Sequence, residues 1–513
     1  MTTEADIVSV EPIIGMEIHV QLCTRTKLFT GAPSTASAEF DEAEPNTLTD
    51  PLVLALPGTL PVMNRAAVEL SVLVGLAMGC DIATRATWDR KSYFYPDLPK
   101  AYQISQYDRP LCGTGTIEVP AMDEAGFVDL DAPITRVRIT RAHLEEDAGK
   151  LVHDAGSKAS LVDLNRAGTP LLEIVTEPDL RTSEEALALA RYLRTLCLSV
   201  RATLGVMQRG HMRFEPNINC KLKLKDGREV VTPIVEVKNL NSFRSLVGAI
   251  RYEISQQPRR WLETGDEFGP GMKSTRGWDD EKEITVLQRS KEDALDYRYF
   301  PEPDLPVVMV DDKWMADLRA RMPELPLRRM RRYRDELGRP DRDAQALAFD
   351  RASADLYDGT LKLCDAAGVA RTDSSTIAAN LIVQCLARLA SERGTTIESL
   401  GLTTETLAPI VGLRAAGDIS ANGAEKLVEL CLGELDADPR AIAEREGLIQ
   451  VSDTGQLEAW CDEVIAEQDA IVQQIREGKG AAVGRLIGEV MKKSGGAADA
   501  KAVREILLRK IGA

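Results

Sequence analysis

The stretch Met212–Cys220 carries an apolar residue at every second position, with Arg213, Glu215, Asn217 and Asn219 between them. That period belongs to a strand with one dry face and one polar face. Asp226-Gly227 follows, a strong two-residue hairpin signal of type I′. If that turn sets the register, Glu215 opposes Lys238 and Asn217 opposes Glu236, all four on the polar face. Pro233 is a candidate bulge that shifts the inner pairs by one. The same alternation governs Ile13–Leu22, where Ile14, Met16, Ile18, Val20 and Leu22 face one way and Gly15, Glu17, His19 and Gln21 the other. Glu17 and His19 then lie about 6.6 Å apart along one strand face, and a carboxylate beside an imidazole suits a divalent metal. A sheet face this heavily charged is either solvated or the floor of a polar cleft.

Two more carboxylate groups lie between these strands. Ile134–His143 alternates as a strand and delivers Glu145-Glu146-Asp147 just before Ala148-Gly149-Lys150. Three adjacent acids repel one another unless a cation or water screens them, so this placement fits metal ligation. Glu173 sits inside the apolar run Leu171–Val175. A lone carboxylate there is strongly desolvated unless it meets a metal, a base or water.

The chain has 513 residues, 44% apolar and 28% charged, which implies two to four globular domains. Residues up to about 300 read as mixed strand and helix. Pro301, Pro303, Pro306, Pro323 and Pro326 then form a broken connection, followed by helical patterns near 375–393, 457–477 and 500–510 and a junction at Gly401–Thr406. The net charge of −17 repels nucleic acid overall, so any RNA contact must be local. Three basic regions offer one. Residues 201–250 hold nine bases against four acids; Arg319, Arg321, Arg328, Arg329, Arg331, Arg332 and Arg334 form a second cluster; Lys492, Lys493, Lys501, Arg504, Arg509 and Lys510 form a third. Nine cysteines, no two within twenty residues, exclude C-x-x-C zinc ribbons and redox pairs and point to free thiols in a reducing cytoplasm. Met1–Val10 has no secretory pattern, and the longest apolar stretch, Leu70–Cys80, is too short for a bilayer, so no membrane partner is expected. No Gly-x-x-x-x-Gly-Lys-Ser/Thr occurs, so any ATP site is not a P-loop.

Six long segments occur in one order: Gly15–Leu22, Lys91–Gln106, His143–Lys150, Leu164–Asp179, Val237–Phe243 and Asp296–Asp304. Together they closely resemble the B subunit of the aspartyl/glutamyl-tRNA amidotransferases over nearly the whole chain. The resemblance implies an α+β fold: a cradle domain on an antiparallel sheet over residues 11–300, a helical domain over 301–400 and a helical, tRNA-gripping tail over 407–513. It implies a ligase of a heterotrimer, completed by an amidase (the A component) and a small C component that clasps the other two. The expected substrate is tRNA(Gln) or tRNA(Asn) misacylated with Glu or Asp, and no DNA partner is expected. ATP phosphorylates the side-chain carboxylate, and ammonia delivered from the amidase then displaces the phosphate.

That chemistry suits the residues, because spreading phosphoryl charge requires divalent cations held by several acids. The expected Mg2+ ligands are Glu17, His19, Glu145, Glu146, Glu173 and Glu236. Glu146, Lys100 and Tyr102 are the expected catalytic group, the latter two holding phosphate or the aminoacyl end. Arg213, Glu215, Asn217 and Lys238 are expected to bind the nucleotide. Two departures from the family pattern stand out. A four-cysteine zinc knot found in many members is replaced by Thr30, Ala32, Asp50 and Val53, so no zinc is expected. The strand Arg213-Phe-Glu-Pro-Asn stands where Arg-Cys-Asp-Ala-Asn is usual, which lengthens the acid at Glu215. A non-catalytic scaffold of the same fold and a stand-alone amide ligase are the alternative readings. The full set of acids with Lys100 weighs against the first, and the basic tail against the second.

Overall fold

The structure, a computed structural model, describes residues 3–153, 159–289, 297–435, 437–450, 454–476, 482–494 and 498–512. Asp296, which opens the last of the six motifs, and Gly480 in the tail lie outside the described residues. The chain forms two compact units, Met1–Arg328 and Arg329–Ala513.

The first unit is built on a nine-stranded sheet. Its strands are β1 Ile7–Gln21, β2 Gly115–Val119, β3 Thr135–Glu146, β4 Pro170–Thr176, β5 Met212–Leu224, β6 Glu229–Val231, β7 Val235–Lys238, β8 Ser274–Asp279 and β9 Ile284–Arg289. The order is β9-β8-β7-β5-β1-β4-β3-β2, with β6 also paired to β5. The expected antiparallel sheet is in fact mixed, because β7 and β8 run parallel. A parallel pair needs a crossover, and the helix Phe243–Thr264 supplies it. Every other pair is antiparallel.

The two strands read from the alternation lie side by side at the centre, Ile14 opposite Ile218 and Ile18 opposite Phe214. Ile14, Met16, Ile18, Val20 and Leu22 are all buried. The crossover helix and the helix Ser183–Ser199 pack against each other, and the crossover helix lies on β5, where Phe214 and Phe243 meet at 5.9 Å between ring centroids. The two helices start at side-chain caps, Ser242 accepting from Ser245 N (3.0 Å) and Thr182 from Glu185 N (3.1 Å).

The hairpin register holds for a different reason than the expected one. Asn217 opposes Glu236 as read, but Asp226 does not adopt the positive φ that a type I′ turn requires; only Gly227 does, at +88°. Leu224 N instead donates to Arg228 O (2.9 Å), which makes a three-residue loop with a left-handed glycine. Near the turn the pairs are therefore offset by one, Leu222 opposing Val230. An extra residue at Thr232-Pro233, where proline has no N–H to donate, cancels that offset before β7.

The expected boundary at 300 falls inside the first unit. Phe300–Pro301 pairs with Asp89–Arg90, Val308–Met309 pairs with Arg85–Ala86, and Trp314 and Arg321 bond to Glu69. The second unit is helical. Its expected helix near 375–393 runs from Arg371 to Glu392 with a π-helical turn over Leu381–Leu386. The helix Thr404–Ala416 packs on Arg351–Ala366, so the expected break at 401–406 also lies within one unit. The pattern at 457–477 is two helices, Thr454–Glu467 and Asp469–Arg476. With Val483–Lys493 and Ala500–Ile511 they enclose their own apolar core of Leu457, Cys461, Val464, Leu486, Val490 and Leu507. Lys493, Arg509 and Lys510 of the basic tail pair with Glu463, Glu467, Glu458 and Asp462. All nine cysteines are free thiols. Among the described residues, no helix is long and apolar enough to cross a membrane.

Candidate active site

Register converts the scattered acids into a transverse row. Arg213 of β5, His19 of β1, Glu173 of β4 and His143 of β3 are successive neighbours across four strands. Side chains alternate along each strand, so Glu17, Glu215, Glu145 and Gln21 rise from the same face. Glu173 Oε2 lies 3.5 Å from both His19 Nε2 and His143 Nε2. His19 also stands 3.8 Å from Glu17 and from Glu215, and His143 stands 3.6 Å from Glu145. On the far side, Glu215 accepts from Lys238 Nζ (2.8 Å), and Glu236 accepts from Thr275 Oγ1 (2.9 Å). Glu17-His19-Glu173, His143-Glu145-Glu173 and Glu17-Glu215-Glu236 are each close enough to share one ion.

The charges on this floor are strongly coupled. Burial alone depresses His19, but its bond to Glu173 and the charges of Glu173 and Glu215 outweigh that and raise it to about 9. Burial works against ionised Glu173, yet His143 and His19 hold its carboxyl far below the usual range. Glu17 is pushed up, first by burial and then by the like charge of Glu173. Asp147 stays low in spite of its burial because Arg213 and Arg166 flank it, with Arg213 Nη2 at 3.1 Å and Gln21 Nε2 at 2.9 Å.

A divalent cation implied by the family can be tested against these residues. His19 Nδ1 and His143 Nδ1 are buried without a hydrogen-bond partner. Burial and its acidic neighbours both oppose ionisation of Glu17. The hard carboxylate oxygens gathered on this face, Glu17, Glu145, Glu173, Glu215 and Glu236, are the donors that fit a magnesium-type ion. The zinc knot gives the opposite result. Thr30 and Asp50 hydrogen-bond to each other, Asp50 Oδ1 accepts from Val53 N (2.9 Å), and Ala32 and Val53 are buried apolar residues. Nothing soft is present to bind zinc, so these residues do not fit it.

Glu146 stands apart from the other expected ligands. It is one residue beyond Glu145 in β3, so its side chain leaves the opposite side of the strand. There it bonds to Lys100 Nζ and accepts from Ile104 N (2.9 Å), in a small cavity lined by Phe29, Leu52, Leu98 and Gly168. Tyr102 lines a neighbouring cavity with Lys100 and Leu52, and the Arg90 guanidinium lies 4.3 Å from its ring centre. Two non-glycine residues next to site residues hold the left-handed conformation: Ala101 (φ 60°), between Lys100 and Tyr102, and Asn239 (φ 64°), after Lys238. Such strain gathers at functional sites.

Sequence reasoning named Glu17, His19, Glu145, Glu173, Arg213, Glu215, Asn217, Glu236 and Lys238 from separate segments, and the structure places them on one sheet face. It missed four. His143 shares the face because it precedes Glu145 by two, a parity signal available from the sequence. Asp147 follows the same rule. Lys91 is held protonated by Glu145 and other anions against its burial, and Lys27 is wholly buried, donating to Ala167 O (2.6 Å). Neither lysine carries a local signal.

A buried floor of carboxylates and imidazoles, edged by cations on an open sheet, defines the first unit as a catalytic domain. Residues 12–316 match the GatB/GatE catalytic domain and residues 366–511 the GatB domain. The chain is 43% identical to the B subunit of the aspartyl/glutamyl-tRNA(Asn/Gln) amidotransferase of Thermosynechococcus vestitus, over 99% of this chain and 98% of that one. Proteins of the same name from Synechococcus elongatus (43% identical, 98% of this chain, 97% of that one) and Deinococcus radiodurans (42%, 98% and 99%) are similarly close. This chain belongs to the GatB family.

Proposed function

We propose that the chain is the B subunit of a tRNA-dependent amidotransferase, acting in the cytoplasm with an amidase and a small third protein, the A and C components of a heterotrimer. It phosphorylates the side-chain carboxylate of Glu-tRNA(Gln), Asp-tRNA(Asn) or both, and replaces the phosphate with ammonia. The observation that carries this reading is the row Arg213-His19-Glu173-His143 with its flanking acids, a floor built for spreading phosphoryl charge.

Ammonia does not displace hydroxide from a carboxylate, so the acid must first gain a leaving group. Transfer of the γ-phosphoryl group to a carboxylate oxygen yields an acyl phosphate and ADP. Ammonia then attacks the carbonyl carbon, the C–O bond to phosphate breaks, inorganic phosphate departs, and the nitrogen loses a proton. Glu17, His19, Glu145, Glu173 and Glu236 are the residues that would hold Mg2+, which when bound neutralises phosphate oxygens. Arg213 and Lys238 border the floor as fixed cations for the nucleotide. Lys100, bonded to Glu146 across the strand, supplies a point charge for phosphate or the aminoacyl end, and Tyr102 a phenolic donor. The basic stretches at 201–250, 319–334 and 492–510 are the proposed tRNA contacts.

The test uses the assembled complex with ATP, Mg2+, glutamine and misacylated tRNA. Amidated tRNA is the expected product. Glu146→Gln should abolish amidation while glutamine hydrolysis persists; equal loss of both would assign Glu146 a structural task. Tight tRNA binding with no amidation by the wild type would favour a scaffold.

A further inference from the structure

Two of the six motifs, Lys91–Gln106 and Asp296–Asp304, contribute aromatic residues that the proposed chemistry leaves without a task, and Tyr107 directly follows the first. The structure brings them together. Tyr95, Tyr93, Tyr297, Tyr299 and Tyr107 follow one another with ring-centroid separations of 6.4, 6.1, 6.1 and 4.5 Å. Five of the chain's ten tyrosines therefore lie in one run. Its ends are open to solvent: Tyr95 is 60% exposed and Tyr107 55%, and Phe94 beside Tyr95 is 82% exposed. Its middle adjoins the carboxylate floor. Lys91, whose ammonium lies 5.0 Å over the Tyr297 ring, is drawn by Glu145 and Glu173. Ser92 N donates to Tyr297 O (2.8 Å), which ties the two segments together.

Tyr93, Tyr297 and Tyr299 are half-buried and meet tilted or edge-on, which props the exposed end rings beside a charged site. Exposed rings so placed are what an unpaired nucleic acid strand stacks on, since every base offers a π-face. We propose that this tyrosine rim is the stacking platform for the single-stranded 3′ end of the tRNA acceptor arm, holding its last bases so that the attached amino acid reaches the carboxylate floor. The proposal rests on the functional reading above and adds residues to it. The adenine of ATP is a single base and accounts for one exposed ring, not for two at opposite ends of the run. The Lys91 ammonium at the inner edge suits a phosphate-linked chain better than an apolar protein segment.

The double variant Tyr95→Ala/Tyr107→Ala, both exposed rings, is assayed in the assembled complex beside Tyr95→Phe/Tyr107→Phe. The KM for misacylated tRNA should rise about tenfold in the alanine variant, within the range that base stacking supplies, with the KM for ATP unchanged. The phenylalanine variant should stay within about twofold of wild type, because the ring and not the hydroxyl makes the stack. A tRNA with 2-aminopurine as its last base should lose fluorescence on binding wild type and keep it with the alanine variant. An unchanged KM for tRNA, a rise in the KM for ATP alone, or equal loss in the phenylalanine variant would each overturn the proposal. So would failure of the alanine variant to assemble into the heterotrimer, which would make the rim a protein interface. A wild-type complex that amidates no tRNA refutes the functional reading instead, so the two failures are distinct.

Discussion

Glu173 is the carboxylate on which the site's organisation turns, and Glu173→Gln isolates its charge. The amide has the same shape, but it takes away the anion 3.5 Å from both His19 and His143. Among the described residues it belongs to two of the three groups able to share an ion, so a cation should lose much of its hold. A ligand that binds only the folded state stabilises it by about 2.7 kcal/mol at a hundred times its Kd. The first unit has 328 residues. At about 2.1 cal/mol/K of unfolding entropy per residue, its midpoint moves by about 4 °C for that energy. Thermal unfolding of the wild type with and without saturating Mg2+ should show this shift, and in Glu173→Gln it should fall below about 1 °C. A lower midpoint in both conditions with the 4 °C difference intact would mean that Glu173 serves packing alone. No shift in the wild type at any Mg2+ concentration would remove the cation from the site.

Three further outcomes check other parts of the reading. Burial pushes Lys27 down to about 8, so the unfolded chain binds more protons between about pH 8 and 10.5 and stability should rise through that window. The full gain is about 3 kcal/mol; urea midpoints from pH 7 to 10 should show the rise in wild type and its loss in Lys27→Met, and equal slopes would refute it. Glu253, wholly buried in the crossover helix, accepts from Thr285 Oγ1 (2.5 Å) and pairs with Arg260 and Arg276. Glu253→Ala should cost about 3–5 kcal/mol and lower the midpoint by several degrees, and a loss under 1 °C in calorimetry would show that the arginines find other partners. Elemental analysis should find no stoichiometric zinc, and one zinc per chain would overturn the reading of Thr30, Ala32, Asp50 and Val53.

What could be read from the sequence was local or periodic. Period two placed Glu17, His19, Glu215 and Asn217 on one face because strand geometry leaves a side chain only two directions. The pairing Asn217–Glu236 emerged from an incorrect turn type, since the loop's extra residue and the bulge at Pro233 offset each other. Register between strands far apart was not legible: nothing in the residues around position 19 states that Glu173 and Arg213 are their neighbours. Lys91 and Lys27 were invisible for the same reason, their setting being made by segments distant in sequence. The parallel pair β7–β8 was missed because a four-residue strand before a long helix carries no directional signal.

The consecutive acids Glu145 and Glu146 show why adjacency in sequence is a poor guide to shared function within a strand. Read as a run of three, Glu145-Glu146-Asp147 looks like one anionic patch. Alternation divides it. Glu145 bonds to Ser105 Oγ (2.8 Å) and faces His143 on the floor, and Asp147 returns to that side to meet Arg213 and Gln21. Glu146 meets Lys100 on the other side, with Lys27 adding positive charge nearby. One strand end therefore serves two chemically different surroundings a single residue apart. One is an acidic floor suited to cations and phosphate; the other is a carboxylate bonded to one ammonium, with a second nearby, in a cavity lined largely by apolar side chains. Exchanging Glu146 for glutamine should leave the Mg2+-dependent thermal shift intact, whereas exchanging Glu173 should abolish it, and both variants should lose amidation. Loss of the thermal shift in Glu146→Gln would join the two surroundings into one and return Glu146 to the metal ligands.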